Sequence, residues 1–391
     1  MIRVGFAMAE SDRSWLGGVN YRANLLRAIV ANPNRKIEPV ILASPAIPSS
    51  FFDSFPPVEI IRASINNGTG RLRYVHEIAK RALGRDPMVE RLLRAARIDI
   101  LSHSGQIGAR ANLPTIGWIG DFQHRRLPEF FSAAEVAARD RLLGRYCDFC
   151  STILLSSYDA QRDLAEFAPA AIPKSRVLRF VSGLGACCEP NVKESGLDKR
   201  YGIEGPFFHL PNQFWVHKNH RLVLEALAIL KERGRPEFVI ATGDTNDARH
   251  PAHFDALLRY AVEFGVEEHF KVLGRVPYAD LVALMSGAIA VLNPSLFEGW
   301  STTVEEAKSM GKTVILSAIP VHREQAPEYG VFFPPESAEA LADAMAGVAD
   351  GYSATEDQYR QKTARQVLPE RVESFASDYE GIVLETLQRG V

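Results

Sequence analysis

The sequence predicts an α/β protein of two Rossmann-like, doubly wound domains facing a central cleft, and three observations carry that prediction. The chain has 391 residues, more than one hydrophobic core usually supports. Short apolar runs alternate with amphipathic helical stretches almost throughout, the pattern of parallel strands joined by crossover helices. The alternation breaks once, over Ser182–Gly205, where Gly, Pro and charge replace any clean period, as in an interdomain linker. The domains are therefore expected over residues 1–185 and 186–369, with a last helix over about 370–391 crossing back to the first.

In the first half the strand candidates are Arg3–Met8, Pro39–Ala43, Asp99–His103, Thr115–Ile119, Thr152–Ser156 and Val177–Val181. Helical periodicity covers Val19–Val30 and Leu72–Ala96. The second series has strands at Phe207–Leu210, Glu237–Thr242, Phe270–Leu273, Ala288–Leu292 and Thr313–Leu316. Its helices lie near Asn219–Glu232, Phe254–Phe264, Tyr278–Met285, Thr302–Met310 and Ala338–Val348, and the last helix near Glu370–Gln388. In such folds ligands bind outside the carboxyl ends of the strands.

Composition excludes several function classes. A net charge of −2 gives no global basic field for nucleic acid or anionic lipid. The N-terminus MIRVGFAMAE lacks the apolar core and cleavage site of a signal peptide, and no window reads as a membrane span. A cytoplasmic protein is expected, at most touching the inner membrane face. The absent export signal also argues against a paired-domain periplasmic receptor. Four cysteines stand at Cys147, Cys150, Cys187 and Cys188. A C-x-x-C facing an adjacent Cys-Cys suits tetrahedral ligation poorly, so buried free thiols are expected rather than a metal or redox centre.

The most informative segment is Asn293-Pro-Ser-Leu-Phe-Glu-Gly-Trp-Ser-Thr-Thr-Val-Glu-Glu-Ala307. A strand ends at Asn293, a turn carries Glu298, Gly299 and Trp300, and Ser301–Thr303 open a helix whose free amides make an anion site. Glu306 lies eight positions beyond Glu298. A carboxylate beside a phosphate site repels it unless it binds hydroxyls, so this pair suits a polyol such as a sugar or ribose. A capped helix with acidic first-turn residues favoured by the dipole explains the same letters.

This segment resembles the E-x7-E signature of retaining glycosyltransferases of family 4, whose fold is termed GT-B. The resemblance implies that Glu298 lies by the donor sugar, that Glu306 holds the nucleotide ribose, and that the intervening amides cradle the diphosphate. Where relatives have Gly-Leu-Pro this chain has Ser301-Thr302-Thr303, whose hydroxyls are expected to add contacts. Val272-Leu-Gly-Arg-Val276 resembles the loop passing the nucleotide base, with Arg275 and Val276 reading its edge through backbone groups. Met310-Gly-Lys-Thr-Val-Ile-Leu-Ser317 and Pro320–Glu324 also fit, and the similarity is clear over about Phe207–Pro335.

The second element is Asn212-Gln-Phe-Trp-Val-His-Lys-Asn-His220, between strand and helix. Lys218 there is a compact charge suited to phosphate, and an exposed helix-start lysine is the bland alternative. The family commonly pairs an Arg with this Lys. Here the Arg is absent, and Gln213 or His217 stands near its place.

In the first half, Ser14-Trp-Leu-Gly-Gly-Val-Asn-Tyr21 follows the first strand, and Gly17 and Gly18 let backbone approach a ligand. Related transferases have a similar glycine loop near donor phosphate and acceptor. Trp118-Ile-Gly-Asp-Phe-Gln-His-Arg-Arg-Leu-Pro128 begins at a strand end. The family histidine that precedes its aspartate is replaced by Gly120, so Asp121 and His124 become the acceptor-side candidates, against a merely solvated loop. The basic stretch Arg71–Arg97, with Phe51, Phe52 and Phe55 before it, is either a solvated face or a docking surface for an anionic, lipid-linked acceptor.

The resemblance thus implies a retaining transferase moving sugar from a GDP- or UDP-sugar donor to a saccharide or lipid-linked acceptor, as in polysaccharide synthesis. No cofactor and no metal is expected, because no Asp-x-Asp element stands at a strand end and Asp244-Thr-Asn-Asp247 has the wrong spacing. A nucleotide-sugar epimerase of the same fold and a non-catalytic nucleotide-sugar-binding protein are the alternatives.

Overall fold

The computed structural model describes residues 1–8, 16–63, 82–104, 107–108, 110–182 and 196–389. The chain divides into two compact units, one of Met1–Pro128, Ser132–Ser182 and Glu370–Val391, the other of Glu129–Phe131 and Gly183–Pro369. Each is built on a wholly parallel sheet.

The first sheet comprises β1 (Ile2–Met8), β2 (Ile37–Ala43), β3 (Glu59–Arg62), β4 (Ile100–Ser102), β5 (Thr115–Ile119), β6 (Thr152–Leu155) and β7 (Ser175–Val177). Its strand order is β3-β2-β1-β4-β5-β6-β7. The central strands are continuous apolar runs buried on both faces, as β4, β5 and β6 are throughout. The second sheet comprises β8 (Phe208–Leu210), β9 (Val239–Thr242), β10 (Phe270–Gly274), β11 (Val291–Asn293), β12 (Val314–Ser317) and β13 (Gly330–Phe333). Its order is β10-β9-β8-β11-β12-β13. Chain order reverses at β1/β4 and at β8/β11, so each sheet has one switch point where strand ends diverge and a crevice opens. The two-unit α/β architecture is the predicted one.

Several elements depart from expectation. The sheet-edge strands β3 and β13 were not anticipated, nor were the helices Ala133–Phe149 and Tyr158–Phe167. The strand expected at Val177–Val181 lies earlier, at Ser175–Val177. Leu72–Ala96 is not one helix. Gly84 is left-handed at φ 68°, and Asp86 caps a new helix, Pro87–Ala95, by accepting from Val89 N at 3.2 Å. Residues 64–81, with Arg71, Arg73, Lys80 and Arg81, lie outside the described residues, as do most of the expected linker and the pair Cys187–Cys188.

The last helix begins at Ala354, not near Glu370, and runs through Pro369 to Arg389. Its first part belongs to the second unit. There the buried Lys312 donates to Asp357 Oδ2 and to Ala288 O, both at 2.7 Å, and Ser286 Oγ donates to Gln361 Oε1 at 2.7 Å. The helix Thr302–Met310 stops at left-handed Gly311, where a Cβ would stand 2.4 Å from Arg360 O, so only glycine lets the last helix approach. Its second part belongs to the first unit. Buried Tyr379 donates to Ser102 Oγ at 2.7 Å, the Thr152 and Thr386 hydroxyls lie 2.8 Å apart, and Glu385 pairs with Arg176. Among the described residues no helix is long and apolar enough to cross a membrane.

Candidate functional site

The turn after β8 and the turn after β11 converge in the second unit. Beyond Leu210 the chain makes a 3-10 turn, Val216–Lys218, and Asn219 takes a left-handed φ of 57° to enter the helix His220–Glu232. That strained backbone is held by the residue's side-chain amide, whose Nδ2 donates to Pro294 O at 3.3 Å and Pro335 O at 3.1 Å. Leu296 N donates to His217 O at 2.8 Å, sewing the two turns together. Lys218 and Glu298, 80 residues apart in sequence, then meet with Nζ 2.6 Å from Oε1. Both side chains are nearly covered, at 13% and 10% exposed.

A polar network fixes Glu298. Ser295 Oγ is 2.7 Å from Glu298 Oε1 and 2.8 Å from Asn293 Oδ1, and its one proton serves one of them at a time. Asn293 Nδ2 donates to Ser301 Oγ at 2.7 Å, and Ser317 Oγ donates to Ser295 O at 2.5 Å. Ser301 caps the helix Thr302–Met310 by accepting from Val304 N at 3.4 Å. Its own N–H donates to Gln325 Oε1 at 3.2 Å, while Gln325 Nε2 donates to Ser301 O at 3.0 Å and Glu305 Oε1 at 3.1 Å. Thr303 Oγ1 donates to Asn212 Oδ1 at 3.2 Å. The hydroxyls of Ser301 and Thr303, expected to face a ligand, are thus committed inside the protein, as is the Ser301 amide. Thr302 and the backbone of Thr302 and Thr303 remain the ligand-facing candidates at this helix start.

Glu306, buried in the same helix, accepts from Tyr278 Oη at 3.3 Å. Tyr278 opens the helix Tyr278–Gly287, directly after the loop bearing Arg275 and Val276. Arg275 itself is ion-paired with Asp244 and mostly exposed. That loop is joined to the end of β9, where Gly243 N donates to Gly274 O at 2.9 Å. Gly243 is at φ 146°, and a Cβ there would lie 2.3 Å from Asn212 O. Only glycine lets the β8 and β9 ends approach so closely. Gly299 and buried Trp300 complete the turn.

The electrostatics separate the histidines from the charges. Burial, then Lys218, Arg249 and His220, hold the His217 imidazole well below its ordinary range. Burial likewise lowers His220 and His209 to about 3 and His322 to about 4. His217 is therefore a neutral, buried group and carries no second positive charge, and Gln213 has none to offer. His322 was missed by sequence reasoning. It is fully buried, shares Ser317 with the Glu298 network through a 2.8 Å contact between Nδ1 and Ser317 O, and feels the charges of both Glu298 and Lys218.

The remaining candidates belong to the first unit. Gly17 and Gly18 lie in the first turn of the helix Leu16–Ala31, while Ser14 and Trp15 are outside the described residues. Asp121 accepts from Gln123 N at 3.0 Å and keeps a side chain 29% exposed. His124 is fully buried, with Nε2 3.0 Å from Asp140 Oδ1. Asp140, not Asp121, is the carboxylate that orients it. A second missed residue is His103. It follows β4 at the switch point, in a left-handed backbone at φ 58°. Its Nδ1 is 2.8 Å from Ser102 Oγ and its Nε2 is 3.0 Å from Tyr21 Oη. A histidine directly after a strand, in a chain lacking the usual one before Asp121, was the available signal.

Among the described residues no group of three or more His, Cys, Asp and Glu is placed to hold a metal ion. Cys147 and Cys150 are free and buried, their pKa values pushed up to about 11 and about 12 by burial, so they are unreactive thiols. Phe51, Phe52 and Phe55 pack edge-on and tilted against one another at 5.2–5.9 Å, with Phe52 buried.

Residues 204–366 match the family Glycosyl transferases group 1. No curated protein matches the sequence. Among solved structures, a glycosyltransferase from Rickettsia africae superposes with a TM-score of 0.69 at 16% identity, over 100% of this chain and 98% of that one. Anabaena HepE, in complex with UDP and glucose, superposes with a TM-score of 0.64 at 19% identity, over 99% and 98% of the two chains. The catalytic domain of Arabidopsis thaliana starch synthase IV, bound to ADP and acarbose, gives 0.65 at 12% identity over 99% of each. At these identities the likeness is one of fold, and the fold is that of GT-B glycosyltransferases.

Proposed function

We propose that the protein is a retaining glycosyltransferase that moves a sugar from a UDP- or GDP-linked donor to a saccharide or lipid-linked acceptor in polysaccharide or glycoconjugate synthesis, acting in the cytoplasm or at the membrane face. The observation that carries this reading is the 2.6 Å pair of Lys218 and Glu298 where the β8 and β11 ends part, beside a helix start and inside the group 1 segment. The UDP and glucose bound to HepE favour a UDP-sugar as donor.

In this reading the donor diphosphate lies against Lys218 and the amides of Thr302 and Thr303. These donors are fixed before the reaction, so they stabilise the charge that grows on the departing diphosphate. As phosphate takes over Lys218, the Ser295 hydroxyl remains within reach of Glu298 Oε1 and keeps that carboxylate aimed at a sugar hydroxyl. Glu298 orients the sugar and forms no covalent bond to it. Glu306 holds the ribose, and backbone groups of Arg275 and Val276 meet the base. On the acceptor side, Asp121 is the reachable group, and His124 supports its loop from behind through Asp140. In this reading fixed cationic side chains and helix amides meet the phosphate charge, so no metal is required.

The test is a thermal-shift screen of nucleoside diphosphates, followed by proton NMR of the product formed from the stabilising nucleotide's sugar. Retention of the donor's anomeric configuration, with turnover persisting in EDTA, is expected. An inverted anomer overturns the stereochemistry, and activity lost in EDTA and restored by manganese overturns the metal-free chemistry.

A further inference from the structure

A diphosphate brings about two to three negative charges, and the turn after β8 meets it with a single lysine whose charge is already matched by Glu298 at 2.6 Å. The two positions nearest the arginine of related transferases hold an uncharged glutamine, Gln213, and a buried neutral imidazole, His217. A site so built is short of positive charge.

The loop after β9 brings another cation to this turn. Phe214 N donates to Asp244 O at 2.9 Å, and the close approach at Gly243 leaves no room between the two backbones. From this loop Arg249 reaches the aromatic side of the turn, its guanidinium carbon 6.0 Å from the Trp215 ring, which itself lies 5.6 Å from the His217 ring. The Phe131 ring covers it at 4.6 Å. Rings stacked on a guanidinium leave its N–H edge available for planar recognition of phosphate. The carboxylate of Asp247 stands 3.9 Å from Arg249 Nε, the outer limit of an ion pair, and its Oδ1 already accepts from Arg249 N at 3.0 Å. Neighbouring cations are matched more closely, Arg275 by Asp244 and Lys308 by Glu305 at 3.1 Å. The Arg249 side chain is 24% exposed, so a ligand can reach it.

We propose that Arg249 supplies the second positive charge of the diphosphate site, from the loop after β9 rather than from the turn after β8. This rests on the proposed nucleotide-sugar reading of that site and adds a residue the sequence motif did not contain. Lys218 and Arg249 then hold the two phosphates from adjacent loops.

The experiment is calorimetry of the wild type, Arg249→Met, Arg249→Lys and Lys218→Ala with UDP, UMP and uridine, and with the guanosine series. Arg249→Met keeps the aliphatic packing and removes the charge, and its unliganded melting temperature checks that the fold is intact. Its diphosphate affinity is expected to fall about 10- to 100-fold, with a few-fold loss for the monophosphate and none for the nucleoside. Arg249→Lys should recover part of the loss, and added salt should shrink the difference. Arg233→Ala, which removes an equal charge paired with Asp343 at the far end of the helix His220–Glu232, should bind all probes as the wild type does. Wild-type diphosphate affinity in Arg249→Met, with Lys218→Ala impaired, overturns the role of Arg249 and leaves the nucleotide reading standing. A wild-type protein that binds no nucleoside diphosphate overturns both.

Discussion

The two units use one sheet plan and furnish its switch points differently. At its strand ends the second unit sets charges close together: Lys218 on Glu298 where β8 and β11 diverge, and Arg275 on Asp244 and Arg249 near Asp247 beyond β9 and β10. Where β1 and β4 diverge, the first unit sets rings and neutral hydroxyls. Tyr21 stacks on Trp118 at 4.4 Å and lies 5.4 Å from the His103 ring, and the chain of contacts Tyr379, Ser102, His103, Tyr21 links four uncharged groups. Burial raises Tyr21 and Tyr379 and lowers His103, so each stays neutral near pH 7. A diphosphate demands fixed charge, whereas an uncharged polyol is better matched by rings and neutral hydrogen-bonding groups. One scaffold thus offers two chemistries, set by the loops after the strands.

Acid should separate the units most. A histidine whose folded pKa lies below its unfolded value of about 6.5 leaves stability intact above that pH. Stability is lost as pH falls from there toward the folded value, by up to about 1.4 kcal/mol per pH unit for each such group. Among the described residues the second unit holds four buried examples, His209, His217, His220 and His322, and the first holds His103. Hydrogen exchange read by mass spectrometry at pH 7 and pH 5, corrected for intrinsic rates, should show the second unit losing more protection. Equal or greater loss in the first unit would contradict that assignment.

The next contrast is between affinity and rate. Lys218→Ala should weaken nucleoside diphosphate binding by about 1.5–3 kcal/mol, the range for a hydrogen bond to a charged group. Asp121→Ala should leave that affinity near the wild-type value and slow transfer by about 10²-fold if the carboxylate takes up the acceptor proton. Calorimetry and initial rates on both variants decide this. Unchanged rates in the aspartate variant return its loop to an ordinary solvated turn. The smallest effect is expected from Tyr379→Phe, which removes one donor from the neutral chain. It should lower stability by about 0.5–1.5 kcal/mol in urea unfolding without altering nucleotide affinity. A change in affinity there would mean that the two switch points are not independent.

The sequence made the architecture readable because the central strands are unbroken apolar runs and the helices between them keep one apolar stripe. It hid the edges. Glu59-Ile-Ile-Arg62 has no buried face to give it a period, and Ala354–Glu370 is mostly polar and exposed, so Pro369 looked like a boundary instead of a helix interior. At the site, local motifs named Lys218, Glu298 and Glu306 individually. That the first two bond to each other is a tertiary fact, as is the inward turn of the Ser301 and Thr303 hydroxyls toward Asn293 and Asn212. Arg249 sits in no recognisable pattern, and His103 has only its place directly after a strand. Each gains its meaning from the loop or strand end that the fold brings beside it.

The last helix has a consequence for the order in which the protein can be finished. Residues 370–389 close the first unit by seating Tyr379 under Ser102, Thr386 against Thr152 and Glu385 on Arg176, yet they are the last of the described chain to leave the ribosome. The second unit draws on residues that emerge before them, through Asp357 and Gln361. Domains usually complete in the order of synthesis. Here the half made first must wait, with the pocket under β4 and β6 unfilled, until the half made second is already assembled. A released chain truncated before Tyr379 would therefore present a finished second unit and an open apolar seam in the first, which is the surface a chaperone would be expected to hold.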